Sequence, residues 1–100
     1  MQLSNSVRFR IRYALDHIAD LRTGRLRADP RWLACIEDTY QSLPTAKRAF
    51  FRDLFIRHLP NEDLMYNHFI EHTTLYNWRQ EIFASVALRA AATGLIHPFE

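Results

Sequence analysis

Residues that stop helices divide this chain into short stretches, and that division limits what it can fold into. Gly24, Pro30, Pro44, Pro60 and Gly94 interrupt 100 residues. Proline inside a helix removes a hydrogen bond and clashes with the turn before it, and glycine readily takes the left-handed conformation that ends a helix. Between the breaks apolar side chains recur every three or four residues, the helical period. Val7, Ile11, Ala14, Leu15, Ile18 and Leu21 make one such stripe, and Leu33, Ile36, Tyr40 and Leu43 a second. With two glycines and no Val, Ile or Thr runs parted by turn dipeptides, the composition favours helix over strand. The pattern predicts an all-α protein: a compact bundle of about five helices, one domain over residues 1–100, with breaks near Gly24, Pro44, Pro60 and Glu71. At 48% hydrophobic residues the chain can bury a modest core.

Ser4 or Ser6 can cap a first helix reaching about Arg22. Residues 7–13, VRFRIRY, alternate apolar and basic with period two and alone would suit a strand. The helical period continues past Tyr13 and the alternation does not, so a helix is expected there. Asp29-Pro30 is a strong helix start, because the Asp side chain accepts from unpaired amides and Pro at the first helical position forgoes a bond it would lack anyway. The third helix, from Pro44 or Thr45 to about His58, has Ala46, Ala49, Phe50, Phe51, Leu54, Phe55 and Ile56 nearly all round. That pattern predicts a buried central strut.

Residues 59–93 follow the 1–58 helices as a separate unit. Pro60 stops one helix and Asn61 can cap the next; Glu62 and Asp63 lie in its first turn, where the helix dipole is positive, and Leu64, Met65 and Phe69 form its apolar side. Thr73 can cap a longer helix with the stripe Leu75, Trp78, Ile82, Phe83, Val86 and Ala90. A short helix, a three-residue turn and a longer helix make a helix-turn-helix. The spacing of Leu64, Ile70, Thr74, Leu75 and Tyr76, the string Tyr76-Asn77-Trp78-Arg79-Gln80-Glu81 and the apolar Ile82-Phe83-Ala84 resemble the C-terminal half of phage and prophage ArpU-like and RinA-like transcriptional regulators. Those are similar to the helix-turn-helix of sigma factor region 4. The resemblance covers about the last half of the chain; Phe69 stands where the turn usually has Gly, and Glu71 where a Ser or Thr cap is usual. It implies a small, all-helical, non-catalytic protein that binds double-stranded DNA and acts on transcription.

The charge distribution qualifies that expectation. The formal charge is +2, yet residues 1–31 hold seven Arg against Asp16, Asp20 and Asp29, a net +4, and residues 32–100 hold six basic against eight acidic groups, a net −2. Phosphate neutralisation by Lys and Arg supplies much of ordinary DNA affinity, and here most of the cations lie outside the reading unit. Arg8 and Arg12, four apart, share a helix face, and so do Arg12 and Asp16. These arginines suit DNA phosphate, an acidic partner such as an RNA polymerase surface, or a solvated salt-bridged face.

On the last helix, Thr73, Asn77 and Gln80 lie opposite the core stripe, followed on the same side by Ala84, Ala87, Leu88 and Ala91. The polar end suits recognition of base edges, Asn and Gln pairing with adenine and Arg79 with phosphate or guanine. The expected DNA contacts are Thr73, Thr74, Tyr76, Asn77, Arg79, Gln80, Arg8 and Arg10. The apolar end should be covered, by the first helix or by a second copy in a homodimer. The alternative is a helical protein-interaction or assembly module without DNA binding.

His68-Phe69-Ile70-Glu71-His72 matches the H-x-x-E-H pattern of inverted zinc peptidases. It straddles a helix end and a turn, so its imidazoles need not share a face, and no metal site is expected. No G-x-S-x-G, Walker loop, dinucleotide fingerprint or Cys-x-x-Cys occurs, and neither enzyme activity nor a cofactor is expected. The lone Cys35 excludes an internal disulfide, and no apolar stretch reaches bilayer length. A cytoplasmic protein without a membrane partner is the expectation.

Overall fold

The structure, a computed structural model, describes residues 3–97, whose regular elements are all helices, with no strand among them. The helices are α1 (Asn5–Asp16), α2 (Ile18–Thr23), α3 (Arg31–Ser42), α4 (Thr45–Phe51), α5 (Asn61–His68) and α6 (His72–Ala92). A π-helical turn, Arg52–Ile56, extends α4. Of the short apolar stretch Leu95-Ile96-His97-Pro98-Phe99 that follows Gly94 in the sequence, Pro98 and Phe99 lie outside the described residues.

Ser4 caps α1, its hydroxyl accepting from the Val7 amide at 3.2 Å. The expected single helix to Arg22 is broken at His17. There the backbone amide donates to the Ala14 carbonyl instead of the Tyr13 carbonyl, and His17 Nδ1 lies 2.7 Å from the latter. The imidazole thus takes the acceptor that an α-helical amide would have used. Val7, Ile11, Ala14, Leu15 and Ile18 are buried across the break, so the stripe holds even though the rod does not. Gly24 ends α2 at φ 77°, and the Leu26 amide closes the end on the Asp20 carbonyl at 3.1 Å.

At the start of α3 the Asp29 carboxylate accepts from the Arg31 amide at 2.9 Å. The buried face of α3 is Trp32, Cys35, Ile36 and Thr39, one step round from the expected stripe of Leu33, Ile36, Tyr40 and Leu43. Thr39 is fully buried against α6, its hydroxyl 3.5 Å from that of Ser85.

The α4 segment is not the all-round buried strut that its composition suggests. Phe50, Phe51, Leu54 and Phe55 are buried, whereas Ala46 and Ile56 are exposed. A π turn follows in the same segment: the Arg57 amide bonds the Arg52 carbonyl, five residues back, at 2.9 Å. Phe50 and Phe51 before that turn and Leu54 and Phe55 within it all lie on the buried side of the segment. The central element is instead α6, which packs on α3, α1 and α5. Its stripe Leu75, Ile82, Val86 and Ala90 is buried as expected, with Trp78 and Phe83 half-buried.

Beyond α6, Gly94 turns the chain at φ 80° and Leu95 and Ile96 return into the core. Two arginines from the N-terminal third hold this segment. Arg31 donates to the Thr93 carbonyl at 2.7 Å and Arg10 to the Leu95 carbonyl at 3.1 Å. No helix among the described residues is long and apolar enough to cross a membrane.

Candidate nucleic-acid interface

Pro60 is extended and blocks continuation from the π turn, so α5 starts at Asn61 without a side-chain cap. Asn61 is not the expected cap; its Oδ1 accepts from Arg79 of α6 at 3.3 Å. After two turns Phe69 adopts the left-handed conformation at φ 53° and ψ 44°, the role a glycine fills in such turns, and the Ile70 amide closes on the Met65 carbonyl. The residue is 94% exposed, so Phe69 lies outside the apolar side on which Leu64 is buried. Glu71 is extended and α6 begins at His72, so Thr73 stands inside the helix instead of capping it. Residues 69–71 therefore join α5 to α6 in three residues.

The first half of α6 turns one side to solvent and the other to α4 and α5. Thr73, Tyr76, Asn77, Arg79 and Gln80 are exposed and Thr74 half-buried, with Leu75 and Trp78 anchoring the opposite side. Trp78 packs edge-on against Phe50 with ring centroids 5.2 Å apart, and Lys47 of α4 lies 5.7 Å from its ring and pairs with Glu81. The predicted contacts divide into two groups. Thr73 and Asn77 face outward, while Tyr76, Arg79 and Gln80 line one wall of a cleft of about 380 Å³. The facing wall is α1, with Arg12 and Asp16, and the floor includes Leu15, Phe55 and Leu75.

Arg8 and Arg10 part company. Arg8 borders a shallower groove with Gln80, Ala84, Ala87 and Leu88, beside the polar end of α6. Arg10 is directed to the other side of α1, where its guanidinium lies 5.7 Å from the Trp32 ring and donates to Leu95. The structure thus brings Arg8, and with it Arg12, to the α6 side. The sequence reading missed Arg12, His72 and Asn61 in the cleft; the four-residue step from Arg8 to Arg12 was the signal available for the first of these. Asp16 takes part in no ion pair among the described residues, so the salt-bridged alternative for this face is not realised between Arg12 and Asp16.

The apolar end of α6 is covered only in part. Ala87 is 1% exposed beneath α1 and Ala91 is half-buried, but Ala84 is exposed and Leu88 is 61% exposed. The two histidines of the H-x-x-E-H string have different neighbours. His68 packs edge-on against Phe50 and its Nε2 lies 2.8 Å from Asp53 Oδ2, whereas His72 is exposed at the cleft. No group of three or more His, Cys, Asp or Glu side chains among the described residues is arranged to hold a metal ion.

Fold and surface together define a small all-helical protein whose longest helix presents a polar side along its first half, with Arg8 and Arg12 of α1 on the same side of the molecule. Comparison of the chain with protein-family models, curated proteins and solved structures found no match.

Proposed function

We propose that this is a small, non-catalytic, cytoplasmic DNA-binding protein of the phage or prophage regulator type, which reads duplex DNA with the first half of α6 and regulates transcription. The observation that carries the proposal is the exposure of Thr73, Asn77 and Gln80 on a long helix entered through a three-residue turn. A helix presented this way can enter a major groove with its N-terminal residues on base edges, where Asn and Gln read adenine through two hydrogen bonds. Arg8 and Arg12, on the adjoining helix, are suited to the flanking phosphates. Neither makes an ion pair among the described residues that would have to be broken first.

The test is fluorescence anisotropy on labelled duplexes that tile the DNA upstream of the protein's own operon, at one fixed salt concentration. One duplex should bind more tightly than random sequence. Asn77→Ala with Gln80→Ala should weaken that binding about tenfold or more and leave random-sequence binding nearly unchanged. Both side chains are exposed, so stability should stay within about ±0.5 kcal/mol. Equal affinity for all duplexes, or a double variant as tight as the parent, would defeat the proposal.

A second reading, a helical interaction module, is favoured by one separate surface. Phe9 and Tyr13 are 65% and 40% exposed on α1, above a groove that also contains Leu21, Leu26, Arg27 and Trp32. Such an apolar strip with arginines at its edge suits an acidic protein partner, and RNA polymerase falls in that class. Failure of the anisotropy experiment would leave this reading in the lead.

A further inference from the structure

The cleft between α1 and α6 has the construction of a small-molecule site. Its floor is apolar, Leu15, Phe55 and Leu75 being 2%, 8% and 2% exposed, and the rings of Tyr76 and Phe83 stand on its walls. Its volume of about 380 Å³ lies within the range of ligand pockets, roughly 300–1,000 Å³. Two arginines from different helices line it, Arg12 on α1 and Arg79 on α6, with His72 also in the lining. One carboxylate, Asp16, opposes them.

Neither arginine is neutralised by its neighbours. Arg12 makes no hydrogen bond or ion pair among the described residues, and Arg79 has one contact, a neutral amide oxygen of Asn61 at 3.3 Å. A planar guanidinium matches a carboxylate with two parallel hydrogen bonds, and the apolar floor with its rings takes a flat hydrocarbon body. We infer that this cleft binds a small aromatic carboxylate, its anion between Arg12 and Arg79 and its ring on Phe55 and Leu75. Asn61 and Gln80 are the neutral donors at hand for the second carboxylate oxygen.

This inference stands apart from the DNA proposal, although the two share a wall. A ligand holding Arg79 and Gln80 would withdraw them from a DNA surface, so the compound would act as an effector if DNA is bound there.

The experiment is isothermal titration of the full chain with 2-naphthoate, 2-naphthylmethanol and inorganic phosphate, with amide chemical-shift mapping of the naphthoate complex. Naphthoate should bind one-to-one, with shifts concentrated in α1 and the first half of α6. Arg12→Gln and Arg79→Gln should each weaken it about tenfold, the loss expected for a charged hydrogen bond. The neutral alcohol should bind about tenfold more weakly for the same reason, and phosphate, lacking the ring, should be weaker than naphthoate. Both arginines are exposed, so melting curves should show the variants as stable as the parent. Absence of saturable naphthoate binding, equal binding by either variant, shifts elsewhere in the protein, or phosphate binding as tight as naphthoate would each overturn the inference.

Discussion

Replacing Phe69 by glycine should stabilise this protein, although it deletes a large apolar side chain. Phe69 sits at φ 53° and ψ 44° between α5 and α6, and 94% of it is exposed. The left-handed conformation costs an L-residue about 1–2 kcal/mol through the clash of its Cβ with the following carbonyl. Glycine escapes that cost but has more freedom to lose on folding, about 0.5–1 kcal/mol. The ring buries almost nothing, so little apolar burial is lost with it. The difference favours glycine by about 0.5–1 kcal/mol, which for a chain of this size raises the melting temperature by about 2–8 °C. Phe69→Ala is the control. Alanine keeps the Cβ and hence the strain, so its stability should stay within about ±0.5 kcal/mol of the parent. Thermal and urea unfolding of the three proteins decide the matter. A glycine variant that melts at or below the alanine variant would refute the reasoning and show that the exposed ring contributes something its exposure conceals.

Other outcomes follow from burial and charge. Ala87→Glu places an unpaired carboxylate at a site 1% exposed and should destabilise the fold by about 3 kcal/mol or more in urea unfolding, whereas Leu88→Glu, one residue on and 61% exposed, should leave stability within about ±0.5 kcal/mol. Sedimentation of the Leu88 variant then reports on a homodimer, since a parent dimer that becomes a monomer would place the second copy on this face. Arg8→Ala should reduce the magnitude of the salt slope of DNA binding by about one; Arg10→Ala should leave the slope unchanged and lower the melting temperature, because its guanidinium is committed to Leu95 and Trp32. Hydrogen bonds from the Arg31 side chain, then from its backbone amide, hold the Asp29 carboxyl at about 2, below its usual 3.8. A depressed carboxyl stabilises the fold above the unfolded value and ceases to do so as pH falls through the folded one, so the stability advantage of the parent over Arg31→Gln should shrink between about pH 4 and pH 2 to the part due to the Thr93 hydrogen bond. Carboxyl-carbon titration should show the Asp29 midpoint rising toward 3.8 in that variant.

The helix ends were the most legible part of the chain because they depend on local chemistry. Gly24, Asp29-Pro30, Pro44, Pro60 and Gly94 all mark ends where expected, and the stripe on α6 is the buried one. Faces were harder to read where the buried residue is not obviously apolar. Cys35 and Thr39 turn α3 one step from its Leu and Tyr positions, and Thr39 is accepted in the core because the Ser85 hydroxyl on α6 meets it. The π turn was invisible, since a pattern search assumes one period throughout and nothing in the string RDLFI announces a wider one. His17 was equally hidden, its break depending on a side chain that competes with its own backbone. Of the candidate interface, the outward positions Thr73 and Asn77 could be read from helical spacing alone. The cleft could not, because Arg12, Phe55, Asn61 and Arg79 come from four elements that only packing brings together.

The π turn at Arg52–Ile56 also bears on how the chain tolerates changes in length. A π turn is an α-helix that has taken in one extra residue, and its cost is small when the flanking helices keep their registers. The segment between Pro44 and Pro60 is therefore where a single-residue gap should fall when this sequence is aligned with relatives. A chain lacking that one residue would form an unbroken α-helix with Phe55 still on the side of Phe50, whereas a chain that kept the residue but closed the turn to α would rotate Phe55 by about 100° relative to Phe50. Lineages with and without the extra residue should therefore keep the same aromatic positions on either side of the gap.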